Sequence, residues 1–319
     1  MNGASNVQLD RRDQDMREEV LAGLRRPIKQ LPCKYLYDAY GSQLFDRICE
    51  LDAYYPTRTE LAIMQADVYE MTACMGTGCL LIEYGSGNSR KSRVLLDHLS
   101  APAGYVPIDI SREHLVRAVA ELRTRYPRLR VSPVCADFTE TIRLPRVQPV
   151  PRRKVVYFPG STIGNFDPPQ ARSFLERIAT VCGPGGGLLI GVDLDKDPAV
   201  LERAYNDEQG VTAAFNRNLL THINQELEAD FVPAWFEHHA FYNRALGRIE
   251  MHLVSRHDHV VQVDGEAIAF AKGEPIHTEN SYKYTIQDFA RLAASSGLGL
   301  RRTWTDADML FSVHYLEAE

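Results

Sequence analysis

The residues of this chain whose types and spacing suit chemistry recur at one kind of position, the end of an apolar run. Leu80-Leu81-Ile82-Glu83-Tyr84 runs into Gly85-Ser86-Gly87-Asn88-Ser89, and Arg90 and Lys91 lead into the amphipathic stretch Ser92–Leu99. Two glycines one residue apart let a backbone turn sharply and let a ligand approach it closely. A helix start beyond them offers free N–H groups and positive potential. Asp109 closes the run Gly104–Ile108, and Asp137 with Phe138 follows the run Leu129–Val134. The first acid stands where a βαβ unit places a ribose-binding carboxylate. The second, with its aromatic neighbour, suits the amine and face of an adenine. Position 90 is Arg, where a dinucleotide fingerprint has its third glycine, so the ligand this pattern describes carries adenosine without a pyrophosphate. A further loop of small polar residues, Gly160-Ser161-Thr162-Ile163-Gly164-Asn165, ends the run Lys154–Pro159.

These residues need a scaffold that brings strand ends together. Buried strands are read at 80–84, 104–111, 129–134, 154–159 and 188–194, with helical stretches between them. Such alternation builds a parallel sheet with right-handed crossovers, and ligands bind at its strand carboxyl ends. Upstream, residues 1–15 are read as frayed and Asp15–Leu24 as a helix. Ser42 is expected to cap a helix carrying Leu44, Phe45 and Ile48, and Thr57 or Thr59 to cap one carrying Ile63, Met64 and Val68. Ser111 is expected to cap the helix holding Leu115 and Leu122. Residues 197–229 read as helical, 235–272 as alternating strands, and 275–284 as a polar loop. A helix over 285–296 and two strands, 300–305 and 311–316, close the chain. The fold class expected is α/β, a Rossmann-like methyltransferase sheet with helices on both faces, plus a smaller α+β substrate-binding domain. The boundaries expected are 61–194 with 286–319 for the cofactor domain, and 1–60 with 195–285 for the substrate domain.

The composition excludes several classes. At 45% hydrophobic and 24% charged over 319 residues, this is an ordinary globular chain. A formal charge of −6 without a basic stripe argues against a nucleic-acid surface. No apolar run is long enough to span a membrane, and the polar start is not a signal peptide. The six cysteines form no CxxC pair and none has a histidine nearby at metal spacing, so no metal is expected and the thiols are read as reduced, in a cytoplasm.

The chain resembles, almost end to end, the bacterial L-histidine Nα-methyltransferases of ergothioneine biosynthesis. The resemblance rests on Tyr37-Asp38-Ala39-Tyr40-Gly41-Ser42, Tyr54-Tyr55-Pro56-Thr57-Arg58-Thr59-Glu60, Gly85-Ser86-Gly87, Gly160–Asn165, Gly210-Val211-Thr212-Ala213-Ala214-Phe215-Asn216 and Arg248-Ile249-Glu250-Met251. It implies an S-adenosyl-L-methionine site from Tyr37, Gly85, Lys91, Asp109, Asp137 and Phe138. It also implies a histidine pocket from Tyr54, Asn165, Tyr205, Met251, Glu279 and Ser281. In that pocket Asn165 and Tyr205 would hold the α-carboxylate, and Glu279 and Ser281 the imidazole. The implied reaction is trimethylation of the α-amine to hercynine, with Tyr37 and Tyr54 orienting the amine, in a monomer that binds neither nucleic acid nor membrane. The competing readings are the same chemistry on another aromatic amino acid, a non-catalytic binder of the same ligands, and an NAD oxidoreductase. The missing third glycine disfavours the last.

Overall fold

Strand β2 (Cys79–Tyr84) and its neighbours form the frame, and each element before and after it follows from a local signal. The computed structural model describes residues 3–87 and 89–319, with side chains from Gln14 onward. Met1, Asn2 and Asn88 lie outside the described residues. In chain order the elements are α1 (Gly3–Leu24), β1 (Lys29–Gln30), α2 (Ala39–Ile48), α3 (Tyr55–Met75), β2, α4 (Arg90–Leu96), β3 (Gly104–Asp109), α5 (Arg112–Arg125), β4 (Val134–Cys135), β5 (Arg153–Phe158), α6 (Pro168–Cys182) and β6 (Gly187–Asp193). There follow α7 (Pro198–Tyr205), α8 (Val211–Glu226), β7 (Phe236–Asn243), β8 (Arg248–Ser255), β9 (His259–Val263), β10 (Glu266–Phe270), β11 (Pro275–Tyr282), α9 (Ile286–Ala294), β12 (Leu298–Thr305) and β13 (Phe311–Ala318).

The chain divides into two compact units. The first holds the chain up to Ala53, Pro198–Arg244 and Ile249–Asn280; the second holds Tyr54–Asp197, Ala245–Arg248 and Ser281–Glu319. The second unit is built on a seven-stranded sheet in the order β12-β13-β6-β5-β2-β3-β4. All neighbours pair in parallel except β13, which is antiparallel to both β12 and β6. The chain leaves β2 towards β3 and β4, then returns to the other side of β2 through β5 and β6. The strand order therefore reverses at β2 and β5, and their carboxyl ends carry the turns at Gly85 and Gly160. This is the switch point at which open α/β sheets hold ligands.

The two faces of the sheet are sorted by the period-two alternation of strands. Leu81, Tyr105, Val155, Tyr157 and Leu189 pack with Ile63, Met64, Val68 and Met71 of α3. Leu80, Ile82, Val106, Val156 and Ile190 pack with Phe174, Leu175 and Ile178 of α6. Each such side chain contributes about 1.5–3 kcal/mol on burial. This is why β2, β5 and β6 are near-continuous apolar runs.

In the first unit α2 and α8 pack together, and a four-stranded sheet runs β1-β11-β8-β7, with Arg248 of β8 and Ser281 and Tyr282 of β11 assigned to the other unit. Strands β9 and β10 form a hairpin through Asp264 and Gly265, both at positive φ, the residue pair a type I′ turn demands.

Several local expectations are corrected. Helix α1 begins at Gly3 rather than Asp15. Asp38, not Ser42, caps α2, accepting from the Gly41 amide at 2.8 Å, because the chain turns helical four residues earlier than the apolar spacing suggested. Helix α3 starts at Tyr55 with Pro56 in its first turn and no side-chain cap, so neither Thr57 nor Thr59 has that role. Ser111 stands at the start of α5 but its hydroxyl makes no cap bond. The third strand shrinks to Val134–Cys135, with a lone bridge at Val131. The polar stretch 275–284 is not a loop: it is β11, paired in parallel with β1.

Candidate active site

The turn after β2 is built by glycine geometry. Gly85 and Gly87 sit at φ +70° and +47°. A Cβ at Gly85 would stand 3.6 Å from the Phe138 ring, whereas one at Gly87 would meet nothing within 4 Å. The Gly85 and Ser86 amides donate to the Ile108 carbonyl at 2.8 and 3.1 Å, fastening the turn to β3. The Gly87 amide donates to Asp109 Oδ2 at 2.9 Å, and the Ser111 amide to Asp109 Oδ1 at 2.9 Å. Burial raises the Asp109 carboxyl above the usual carboxylate range, and these backbone amides work against that rise. The hydroxyls of Ser86 and Ser111 are buried and have no partner among the described residues. Orphaned buried hydroxyls beside an open glycine turn fit a polar ligand rather than a plain connection.

The next strand ends behave differently. Asp137 Oδ1 accepts from the Thr139 amide at 2.8 Å and the Thr139 hydroxyl at 2.6 Å, a local turn that holds the carboxylate at the end of β4. Half-buried Phe138 lies edge-on to Tyr84, Phe158 and Phe174, with ring centroids 5.6–6.2 Å apart. Its position is therefore set by the aromatic core of the second unit.

Lys91 is ion-paired with Glu60, a residue that sequence reasoning had only as part of a motif. Glu60 is fully buried on α3, and its Oε2 also accepts from the Gly160 amide at 2.8 Å. It thus ties α4 to the loop after β5. Its other oxygen has no partner among the described residues. Gly191 makes room for it, since a Cβ there would sit 2.3 Å from Glu60 Oε1. An acid on the same helix face as Ile63 and Met64 was the available signal.

Glu83, the acid ahead of the glycines, does not face a ligand turn. It is fully buried, bonded to the Tyr105 hydroxyl, and raised to about 8, chiefly by desolvation. Asn165 ends a short 3₁₀ segment, Thr162–Asn165, held against β11: a Cβ at Gly164 would lie 2.8 Å from the Tyr282 carbonyl oxygen. Tyr54 is buried immediately before α3. Its neighbour Tyr55 donates to Asp193 at 2.7 Å, and Lys283 donates to Ser281 Oγ at 2.8 Å.

The first unit groups Tyr37, Tyr205 and Glu279. The Tyr37 hydroxyl is pushed well above its ordinary value by burial first, then by the charges of Glu279, Cys33 and Tyr205. Its ring packs edge-on to Phe45 and Phe215 at 5.5 and 5.4 Å. Gly41, in the same motif, is required because a Cβ would fall 1.9 Å from the Leu36 carbonyl oxygen. Tyr205 is buried, and its carbonyl accepts from His238 Nε2 at 2.8 Å. Met251 is buried on β8, and its carbonyl accepts from the Thr278 hydroxyl of β11 at 3.0 Å. Glu279 is 8% exposed. Of the expected pocket residues, then, Tyr37, Tyr205, Met251 and Glu279 belong to the first unit, and Tyr54, Asn165 and Ser281 to the second, with Gly85, Lys91, Asp109, Asp137 and Phe138.

The first unit also brings metal-ligating atoms of Glu250, His252 and His277 within 4.8 Å of one another, a grouping invisible in sequence because the residues lie on two strands. Their present geometry is that of a hydrogen-bonded stack: Glu250 Oε2 lies 3.0 Å from His252 Nε2, and the two imidazoles are stacked at 4.9 Å.

Comparison with known proteins gives the arrangement a context. Residues 16–318 match the family model described as "Histidine-specific methyltransferase, SAM-dependent". The chain is 42% identical over 310 residues to the histidine N-alpha-methyltransferase of Mycolicibacterium smegmatis, covering 95% of each. It is 33% identical over 286 residues to ergothioneine biosynthesis protein 1 of Neurospora crassa, covering 87% of this chain and 32% of that one. It is 27% identical over 313 residues to the 4-dimethylallyltryptophan N-methyltransferase easF of Aspergillus fumigatus, covering 92% and 91%.

Proposed function

The chain belongs to the SAM-dependent, histidine-specific methyltransferase family, and from that premise we propose that it trimethylates the α-amino nitrogen of L-histidine to hercynine, opening ergothioneine biosynthesis. The observation that carries the substrate reading is the carboxylate of Glu279, buried in the same unit as Tyr37 and Tyr205 and near enough for its charge to raise the Tyr37 hydroxyl. An imidazole always presents at least one N–H donor, and a carboxylate is its natural acceptor.

S-adenosyl-L-methionine supplies an electrophilic methyl group on a sulfonium. Gly85 admits its amino-acid end, and Lys91 faces that end's carboxylate while sharing its charge with Glu60. Asp109 accepts from the ribose hydroxyls with the lone pairs its two backbone amides leave over. Asp137 accepts from the adenine amine, beside Phe138. Asn165 and Tyr205 hold the histidine carboxylate, Glu279 and Ser281 its ring, and Met251 packs alongside.

The amine attacks only when neutral, and its free value lies at about 8 or above. Exclusion of water favours that form. Tyr37, held well above its ordinary value, stays a protonated phenol across the working range. It orients the amine and does not act as a phenolate base, with Tyr54 as the second orienting group. The chief contribution to rate is in-line positioning. The protein is further read as a cytoplasmic monomer. Its six cysteines stand as reduced thiols, which suits a reducing compartment.

The test is to incubate the protein with S-adenosyl-L-methionine and L-histidine and follow mass gains of one, two and three methyl groups. Methylation of another amine with none of histidine sinks the substrate assignment. Binding of both ligands with no turnover sinks the enzymatic one.

A further inference from the structure

At the end of β6, Asp193 is 1% exposed and carries two cationic partners. Lys196 Nζ lies 2.6 Å from Oδ1, and Lys283 Nζ lies 2.8 Å from Oδ2. The Tyr55 hydroxyl donates to the same carboxylate at 2.7 Å and receives a bond from Lys196 at 2.7 Å. The Asp193 amide is in turn held by Ser161 Oγ at 2.9 Å. The Lys283 side chain is wholly buried. A buried ammonium persists only where it is paired and hydrogen-bonded. Lys283 also donates to the hydroxyl of Ser281, at 2.8 Å.

That contact has a direction. An ammonium donates and never accepts. Ser281 Oγ is therefore the acceptor, and its single proton is turned away from Lys283. The cation polarises the hydroxyl, strengthening it as a donor and weakening its oxygen as a second acceptor. A serine without such a neighbour serves either way. Two residues earlier on the same strand, and so on the same face, stands Glu279, whose carboxylate accepts.

We propose that Lys283, anchored by Asp193, is a positioning residue that fixes Ser281 as a hydrogen-bond donor, so that β11 selects a ring with one N–H and one bare nitrogen: the neutral imidazole of histidine. This rests on the reading that Glu279 and Ser281 receive the substrate ring. An imidazolium presents two N–H groups: Glu279 accepts one, and the other meets the proton of Ser281, which Lys283 keeps turned outward while Asp193 offsets the charge of Lys283 and Lys196. An indole has no bare nitrogen to offer.

The experiment compares kcat/KM for L-histidine with that for β-(1,2,4-triazol-3-yl)alanine, whose ring stays neutral throughout the range. The amine and the enzyme's own titrations then cancel in the ratio. In the wild-type protein the ratio of histidine to the triazole falls about tenfold or more between about pH 7.5 and about pH 5, as the histidine ring protonates near about 6.5. In Lys283→Gln the fall is much shallower, in Lys283→Arg it is kept, and in Ser281→Ala, which removes no buried charge, it is lost. Calorimetric binding of S-adenosylhomocysteine checks that each variant is folded, and Ser281→Ala carries the test if a Lys283 variant is not. A wild-type ratio independent of pH overturns the inference while leaving histidine methylation intact. So does a Ser281→Ala or Lys283→Gln variant with the wild-type slope. Absence of any histidine methylation by the wild type removes the substrate reading, and the inference with it.

Discussion

Glu60 and Glu279 are both carboxylates buried on elements of their units, and they lead to opposite expectations. Glu60 holds Lys91 and the Gly160 amide, so its role is structural within the turn region. Replacing it as Glu60→Gln keeps an acceptor for Gly160 but leaves the Lys91 ammonium without its countercharge. Breaking a buried pair in this way costs about 3 kcal/mol, which a urea or thermal unfolding comparison with the wild type will register. Glu279, in contrast, is assigned to the substrate. Glu279→Ala should lower kcat/KM for histidine by about ten- to a hundredfold, the worth of one hydrogen bond to a charged group. Its affinity for S-adenosylhomocysteine, measured by calorimetry, should stay at the wild-type value. Neither role was legible from the residue alone. An acid in a polar stretch reads as a surface acid, and an acid in a helix as a solvated one.

At the scale of elements, the loop Thr162–Asn165 and the strand β11 depend on each other. The loop can approach the Tyr282 backbone only because position 164 has no side chain. A backbone carbonyl cannot swing aside as a side chain can, so Gly164→Ala must displace the loop, at about 1–3 kcal/mol. Asn165 moves with it. A misplacement of this order lowers kcat/KM for histidine by about a hundredfold, with S-adenosylhomocysteine binding by calorimetry retained, since the turn after β2 is untouched. The elements that sequence patterning read well are those whose partners are mostly apolar: β2, β5 and β6 read as hydrophobic runs, with Glu83 and Asp193 as the buried polar exceptions near their ends. Strand β11 does not, because it buries Thr278, Glu279 and Ser281, with the buried Lys283 just beyond its end. Its polar side chains are matched by other polar groups, and no hydrophobic period marks it. The helix starts were misplaced for a related reason. Asp38 begins its helix through a side-chain cap, and Tyr54 and Pro56 theirs through backbone geometry and proline preference, none of which an apolar spacing reports.

For the molecule as a whole, two buried groups of the second unit shape its stability against pH. Burial raises Glu83 from 4.5 to about 8 and lowers His314 from 6.5 to about 4. For Glu83 the folded state holds a proton that the unfolded state has lost, so its contribution is fully present below about pH 4.5 and is lost as pH rises to about 8. For His314 the unfolded state binds the extra proton, so stability is lost as pH falls from about 6.5 to about 4. Between these limits the two slopes oppose each other; above about pH 6.5 Glu83 acts alone. Glu83→Gln keeps a partner for Tyr105 but cannot ionise. Its melting temperature should therefore gain on that of the wild type as pH rises from about 4.5 to about 8, and hold level beyond. A difference that does not change with pH would show that Glu83 is ionised throughout. By itself the sequence determined the parallel sheet, the glycine turn at its switch point, and the acids and aromatic at neighbouring strand ends. These follow from patterns only a few residues long, and the long family motifs added the reaction. Only the tertiary structure decided which polar groups are buried and what they hold. Glu60 meets Gly160 a hundred residues away, and Tyr55 meets Asp193 at a separation of 138. A buried charge is tolerated only beside its partner, and no local pattern of the chain says where that partner will be.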